Sequence, residues 1–312
     1  MQLIRGINNI QPEDHGCVLT IGNFDGVHLG HQRVIEALID KAKQHNAVPT
    51  VMVFEPQPQE LFAKDKAPAR LTRLRDKYQL LAQQGVERLM CVSFNKKFAS
   101  LSAETFIEEL LVKQLGVKHL IIGDDFRFGQ HRRGDFVMLK AYGEKLGFSV
   151  TDTKSFKLAD CRISSTEIRG ALEQDNLAEA ARMLGREYSI SGKVFHGDKN
   201  GRKFGFPTAN VLLKRRVSPV SGVYAVQVKH DSKVYQGVAN IGTRPTLSGI
   251  RQQLEVHIFD FNQSIYGQHI EVVMVKKLRE ERKFDSITAL KEQIQLDSEQ
   301  AKSHFGLNDN NG

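Results

Sequence analysis

The stretch Val18-Leu-Thr-Ile-Gly22-Asn-Phe-Asp-Gly26-Val-His28-Leu-Gly30-His31 decides the fold of the first half of the chain. A short apolar run that ends at a glycine reads as a buried strand. Val34, Ile35, Leu38, Ile39 and Ala42 then recur at helical spacing. Strand, tight loop and helix therefore follow one another. A helix beginning near Gly30 aims its free N–H groups and the positive end of its dipole back at the loop, where a phosphate is favoured. His28 and His31, three residues apart, share one face of that first turn.

The loop matches neither familiar phosphate-binding string. Walker A needs a lysine after its last glycine, and the dinucleotide fingerprint needs closer glycines than Gly22, Gly26 and Gly30. What it offers is a His-x-Gly-His turn, whose glycine admits a ligand close to the backbone and whose imidazoles can donate to phosphate oxygens. The same two histidines can equally serve as helix caps. A zinc site needs at least a third ligand, and the sequence singles out none.

Outward from this stretch, the first half alternates strand and helix. Residues 48–54 and 86–94 are β-rich runs, 119–123 is another, and helical spacing runs through 71–81 and 103–115, where Phe106, Ile107, Leu110 and Leu111 form an apolar stripe. Such alternation predicts a Rossmann-like parallel sheet, with the loops after Ile21, Phe54 and Ile122 on the rim where ligands bind. The third loop, Gly123-Asp-Asp-Phe-Arg-Phe-Gly129, combines carboxylates, an arginine and two aromatic rings. That mixture suits a heterocycle with a phosphate, or a turn with its rings tucked inward. Ser164, Ser165 and Thr166 precede a helix that carries Arg169, an arrangement for capping or for holding a polyphosphate. Asp175 is the expected cap of a further helix ending at Gly185, and the domain boundary is expected there.

Beyond 185 the pattern changes. Residues 188–195, 211–213, 222–228, 234–241, 254–259 and 270–275 are short β-type runs without helices between them, which predicts an antiparallel closed barrel; a helix returns at 287–305, and 308–312 reads as disordered. A basic, glycine-rich element spans Gly197, Gly201, Arg202 and Gly205 and leads into Phe206-Pro207-Thr208-Ala209-Asn210. The Thr208 hydroxyl and Asn210 amide oxygen are hard donors of the kind magnesium accepts beside phosphates. Glu255 alternates with His257 on one face of a strand, so it can point into the barrel as a base for a hydroxyl nucleophile or stand exposed on the outside.

Composition sets outer bounds. With 44 lysines and arginines against 36 acidic residues in 312, a net charge of +8 favours anionic partners. The runs Lys214-Arg215-Arg216 and Lys276-Lys277-Leu-Arg279 leave a nucleic-acid binder as an alternative. The three scattered cysteines, without Cys-x-x-Cys spacing, argue against a disulfide framework, and neither a signal-peptide core nor a membrane span is visible; a cytoplasmic protein is expected.

Taken together, six strings in fixed order carry a resemblance: Gly22 to His31, Gly123 to Gly129, Ile163-Ser-Ser-Thr-Glu-Ile-Arg169, Gly205-Phe-Pro-Thr-Ala-Asn210, Asn240-Ile-Gly-Thr-Arg-Pro-Thr246 and Leu254-Glu-Val-His257. Over essentially its whole length the chain resembles the bacterial bifunctional riboflavin kinase/FMN adenylyltransferase family, also called FAD synthetases. The resemblance implies an adenylyltransferase in 1–185 that makes FAD and pyrophosphate from FMN and ATP. It implies a six-stranded barrel kinase in 186–312 that makes FMN and ADP from riboflavin and ATP.

On the first domain the resemblance implies His28, His31 and Arg169 as catalytic residues, the two histidines contacting phosphate and Arg169 belonging to a second nucleotide-binding motif. It assigns nucleotide or flavin contacts to Gly22, Asn23, Phe24, Gly30, Asp125, Phe126, Phe128, Ser164, Ser165 and Thr166. On the second it implies Glu255 as catalytic base, Thr208 and Asn210 as magnesium ligands, and Gly197, Gly201, Arg202, Gly205, Pro207, Tyr224, Asn240, Arg244 and Arg279 as contacts to ATP or flavin. Many members carry a histidine between the prolines after the second strand, where this chain has Gln57, a hydrogen-bonding residue without charge. The same His-x-Gly-His turn occurs in nucleotidyltransferases for pantetheine or nicotinamide substrates, which is the second alternative. No permanently bound prosthetic group, nucleic acid or membrane partner is expected.

Overall fold

The computed structural model describes residues 1–63, 66–123, 125–153, 157–158, 161–196, 206–213, 217–246 and 249–307. Gly197, Gly201, Arg202, Gly205, the basic run 214–216, the tail 308–312 and the side chain of Arg244 lie outside the described residues. Two compact units result, one of Met1–Pro68 with Thr72–Ser165, the other of Ala69–Leu71 with Thr166–Gly312.

In the first unit, strands β1 (Gln2–Arg5), β2 (Cys17–Ile21), β3 (Val48–Glu55), β4 (Arg88–Ser93), β5 (Val117–Gly123) and β6 (Ser149–Thr153) form one sheet in the order β1-β4-β3-β2-β5-β6. Every pairing is parallel. The helices are α1 (Leu29–Gln44), α2 (Pro58–Phe62), α3 (Leu74–Gln83), α4 (Lys96–Ala99), α5 (Ala103–Thr105), which continues with π-helical hydrogen bonding over Phe106–Gln114, and α6 (Phe136–Leu146).

All five residues of β2 are buried, as expected of a central parallel strand covered on both faces. Cys17, Leu19 and Ile21 pack with Phe106, Ile107, Leu110 and Leu111 in one core, while Val18 packs with Ile35, Leu38 and Leu81 in another. Because the strands run parallel, the loops after β2, β3 and β5 leave the sheet at the same edge.

Several elements had no forecast, β1, β6 and α6 among them. β1 and β6 flank the sheet, and each contributes too few apolar residues to show a period. β1 is tied down through Arg88, which donates to Gln2 Oε1 and the Asp14 carbonyl and pairs with the buried Asp14 carboxylate at 3.3 Å. Helix α6 starts at Asp135, whose carboxylate accepts the Met138 N–H, and stops at Gly147 in the left-handed region, φ +86°.

His119 on β5 is buried and bridges the edge strand through Ser149 Oγ and Thr151 Oγ1. Burial, with His45 and Lys41 nearby, lowers its pKa to about 4. The folded state therefore binds fewer protons than the unfolded chain below pH 6.5, so stability is complete above that pH and lost as pH falls towards 4. The loss is on the order of 3 kcal/mol. Urea midpoints at pH 7 and pH 4.5 check it, and His119→Asn is expected to flatten the difference.

The second unit holds α7 (Ser165–Glu173, less its first residue), α8 (Leu177–Leu184), strands β9 (Ser189–Phe195), β10 (Ala209–Leu212), β11 (Gly222–His230), β12 (Lys233–Thr246), β13 (Gly249–Ile258) and β14 (His269–Arg279), and α9 (Ile287–His304). In the first unit the short pair β7 (Lys157–Leu158) and β8 (Cys161–Arg162) precedes α7. The six strands of the second unit close into a barrel in the order β10-β13-β12-β11-β14-β9, all antiparallel.

The compact units part at Ser165 and Thr166, two helices before the expected boundary at 185. The reason lies in Asp175: it accepts hydrogen bonds from Tyr224 Oη at 2.9 Å and Lys277 Nζ at 2.7 Å, which binds the α7–α8 turn to the barrel. Asp175 itself, at φ +59°, is not the cap of α8. Asn176 is, with its side chain accepting the Glu179 N–H.

Candidate active sites

The His-x-Gly-His turn runs from β2 into α1 as expected, and His28 is the N-cap, its Nδ1 accepting the His31 N–H at 3.3 Å. That contact fixes the His28 proton on Nε2. The two imidazoles stack, with centroids 3.6 Å apart and planes inclined by 19°. Burial, His28 and the ammonium of Lys77 together hold the His31 pKa well below its ordinary value, so the ring is neutral. His31 Nδ1 is buried and has no hydrogen-bond partner in the protein. A Cβ at Gly30 would crowd the His28 ring at 3.1 Å and touch the Ile163 carbonyl at 3.5 Å, so glycine leaves the histidine its place.

The loop is strained and clamped. Phe24 at φ +46° and Val27 at φ +42° occupy the left-handed region, each at a cost of order 1–3 kcal/mol. Thr72 Oγ1 accepts the Gly26 N–H at 2.9 Å, Asp25 Oδ1 accepts the Thr72 N–H and hydroxyl, and Lys77 Nζ donates to the Asn23 carbonyl. Lys77 is only 2% exposed. The Ser165 hydroxyl adds a fifth hydrogen bond, donating to the Asp25 carbonyl at 2.8 Å. Sequence reading missed Asp25, Thr72 and Lys77, since a buried lysine inside α3 looks like one more surface charge. Lys77→Met is expected to slow FAD formation about 10- to 100-fold, the worth of a hydrogen bond from a charged donor, and to leave FMN formation unchanged; steady-state rates of each step check this.

A run of phenylalanines crosses the same rim. Phe62 meets Phe94, Phe94 meets Phe54 and Phe98, Phe98 meets Phe106, and Phe106 meets Phe128, with ring centroids 5.2–6.3 Å apart. Phe126 stacks on Phe128 at 5.5 Å. Phe62, 69% exposed, is the accessible end, while Phe128 is buried and Phe126 half-buried. Only the last two were singled out in sequence as ligand contacts, because Phe106 reads as part of an apolar stripe and the others come from separate segments. Asp125 is exposed. Gln57 is 6% exposed, caps α2, and its Nε2 is buried without a partner. In the second unit, Arg169 directs Nε to the Ala69 carbonyl.

Among the described residues no group of three or more His, Cys, Asp or Glu side chains is placed to hold a metal ion.

The barrel brings three distant strings into one row. Asn210 on β10 lies opposite Glu255 on β13, and Glu255 lies opposite Asn240 on β12. Directly opposed residues share a face of the sheet. Their neighbours Val211, Leu254 and Ile241 are fully buried and fill the interior, so Glu255 stands on the outer face, not inside the barrel. Gln253 Nε2 donates to both Asn210 Oδ1 and Glu255 Oε1. Thr208 lines a small pocket with Pro207, Ile265 and Tyr266.

Two residues expected among the ligand contacts are engaged with protein. Tyr224 is fully buried, its hydroxyl donating to Asp175 and the Ser221 carbonyl. Arg279 grips Asp297 of α9 with two parallel bonds, Nε to Oδ1 at 2.8 Å and a terminal nitrogen to Oδ2 at 2.7 Å. Lys277, in the second basic run, is paired with Asp175 and Glu280.

A parallel sheet with a histidine–glycine turn at its rim and an antiparallel barrel with a row of oxygen donors define a protein of two separate candidate sites. The comparisons with known proteins narrow this class. The family model for FAD synthetase matches residues 10–167, and that for riboflavin kinase matches residues 184–305. The chain is 56% identical to the bifunctional riboflavin kinase/FMN adenylyltransferase of Escherichia coli K12, covering 98% of this chain and 99% of that protein. It is 52% identical to the protein of the same name from Haemophilus influenzae, again over 98% and 99%. A crystal structure of a Streptococcus pneumoniae protein described as a macrolide-efflux protein is 31% identical with a TM-score of 0.77, covering 95% of this chain and 97% of that one. The chain belongs to the bifunctional riboflavin kinase/FMN adenylyltransferase family. Among the described residues no helix is long and apolar enough to cross a membrane.

Proposed function

We propose that residues 186–312 transfer the γ-phosphoryl group of ATP to the 5′-hydroxyl of riboflavin, and that residues 1–185 join the AMP of ATP to the resulting FMN. The observation that supports this most is the row Asn210, Glu255 and Asn240, which unites a neutral oxygen donor and a carboxylate from separate strands.

The kinase nucleophile is a neutral alcohol. Glu255 takes its proton while the alcohol oxygen bonds to the γ-phosphorus and the bond to the bridging oxygen of ADP breaks. Thr208 and Asn210 supply hard, uncharged oxygens, and the Asn210 amide turns its oxygen to Gln253 Nε2. This donor set suits magnesium, with phosphates and water filling the remaining positions. When bound, magnesium neutralises phosphate charge.

In the adenylyl transfer the nucleophile is an FMN phosphate oxygen. It bonds to the α-phosphorus as pyrophosphate leaves, and no proton has to be removed. Alignment and charge stabilisation carry the rate. His28 and His31 donate to the phosphoryl oxygens, and a phosphate oxygen supplies the partner that His31 Nδ1 lacks within the protein. The phenylalanine run offers flat apolar faces to the flavin ring, and Gln57 Nε2 offers a neutral donor. Gly22, Asn23, Phe24 and Gly30 shape the turn. Asp125, Ser164, Ser165, Thr166 and Arg169 remain assigned to nucleotide and flavin by family resemblance, as are Pro207, Tyr224, Arg244 and Arg279. We assign the protein to the cytoplasm, a reading supported by Cys17 and Cys91, which are buried and not joined by a disulfide. Incubation with riboflavin, ATP and magnesium is expected to yield FMN and then FAD by chromatography; unchanged riboflavin overturns the reading.

A further inference from the structure

We infer that Gln253 is a positioning residue of the kinase site, a latch that orients Asn210 and Glu255 and must release Asn210 when the cation enters. The inference rests on the reading of Asn210 as a cation ligand and Glu255 as the base. Gln253 sits two residues before Glu255 on the same face of β13, and β10 brings Asn210 opposite Glu255. Its Nε2 donates to Glu255 Oε1 at 2.9 Å and, with its second hydrogen, to Asn210 Oδ1.

The orientation of the three groups follows from their chemistry. An ionised carboxylate only accepts, so Glu255 forces the nitrogen end of the Gln253 amide towards itself. That nitrogen, in turn, requires Asn210 to present oxygen and not its own NH2. Glu255 thus selects, through Gln253, the face of Asn210 that a cation needs. The same N–H is an internal competitor, because a hydrogen-bond donor and a divalent ion cannot both approach one oxygen along the same line. Asn210 is only 6% exposed, which leaves little room for the ion to choose another line. Two consequences follow, of opposite sign. Removing the amide frees Asn210 Oδ1 for the ion, and it also takes from Glu255 the hydrogen bond that Gln253 donates.

The test measures Mn2+ binding to the full-length chain in the presence of ADP, by the electron paramagnetic resonance signal of free Mn2+, beside the turnover of riboflavin. Gln253→Met is expected to bind Mn2+ roughly 3- to 10-fold more tightly, the worth of one lost hydrogen bond, while kcat for FMN formation falls and FAD formation from supplied FMN is unchanged. Gln253→Glu is expected to bind Mn2+ more tightly still and to lose FMN formation. A merely structural residue would weaken binding and turnover together, and unchanged or weaker Mn2+ binding in both variants overturns the latch. Asn210→Ala, measured alongside, separates the two levels. If it leaves Mn2+ binding intact, the ligand assignment itself fails; if it weakens binding while the Gln253 variants do nothing, only the latch fails.

Discussion

Glu255→Gln is expected to lower FMN formation from riboflavin by about 10²- to 10⁴-fold, the usual worth of a positioned general base, and to leave the conversion of supplied FMN to FAD unchanged. The substitution keeps the shape of the side chain and an oxygen to accept from Gln253, so the row on β10, β13 and β12 stays intact. What it removes is the ability to take a proton. Only one of the two reactions needs that, since the alcohol of riboflavin is neutral and the phosphate of FMN is already an anion. Riboflavin consumption followed by chromatography, with a parallel assay started from FMN, separates the outcomes. Loss of both activities would show that Glu255 supports the fold of the chain and not one chemical step.

His31→Ala is expected to have the reciprocal effect, with FMN accumulating and FAD formation reduced about 10²- to 10³-fold, as when one preorganised donor to a developing charge is removed. His31 is suited to this by burial. Its neutral ring and partnerless Nδ1 sit in a loop held by Thr72, Asp25 and Lys77, so no reorganisation is needed when the phosphoryl oxygens gain charge. The substitution leaves the His28 cap in place, because His28 accepts from the His31 backbone N–H. Normal FAD output would remove His31 from the mechanism.

The β2 run and the helix after it were legible because burial on both faces of a parallel strand leaves an unbroken apolar string, and the six barrel strands announced themselves by length and by the absence of helical spacing. The edge strands β1 and β6 were not legible, since their positions depend on β4 and β5 and not on any period of their own. The two histidines, Asn210 and Glu255 stood out as chemistry within short glycine- or strand-bounded strings. Lys77, Phe62, Phe94 and Gln253 did not. Each takes its meaning from a neighbour far away in sequence: Asn23 for Lys77, the rings from adjoining loops for the phenylalanines, Asn210 for Gln253. The side on which Glu255 faces was left open for a related reason, as alternation along one strand shows that two faces exist but only the closed barrel shows which is inside.

The most direct test follows the phosphorus atoms of ATP. With riboflavin, magnesium and ATP labelled at the γ-phosphate, label is expected in FMN and in FAD. With ATP labelled at the α-phosphate, it is expected in FAD and not in FMN. Label from the α-position in FMN, or none from the γ-position in either flavin, would contradict an account in which one half of the chain phosphorylates riboflavin and the other adenylylates the product.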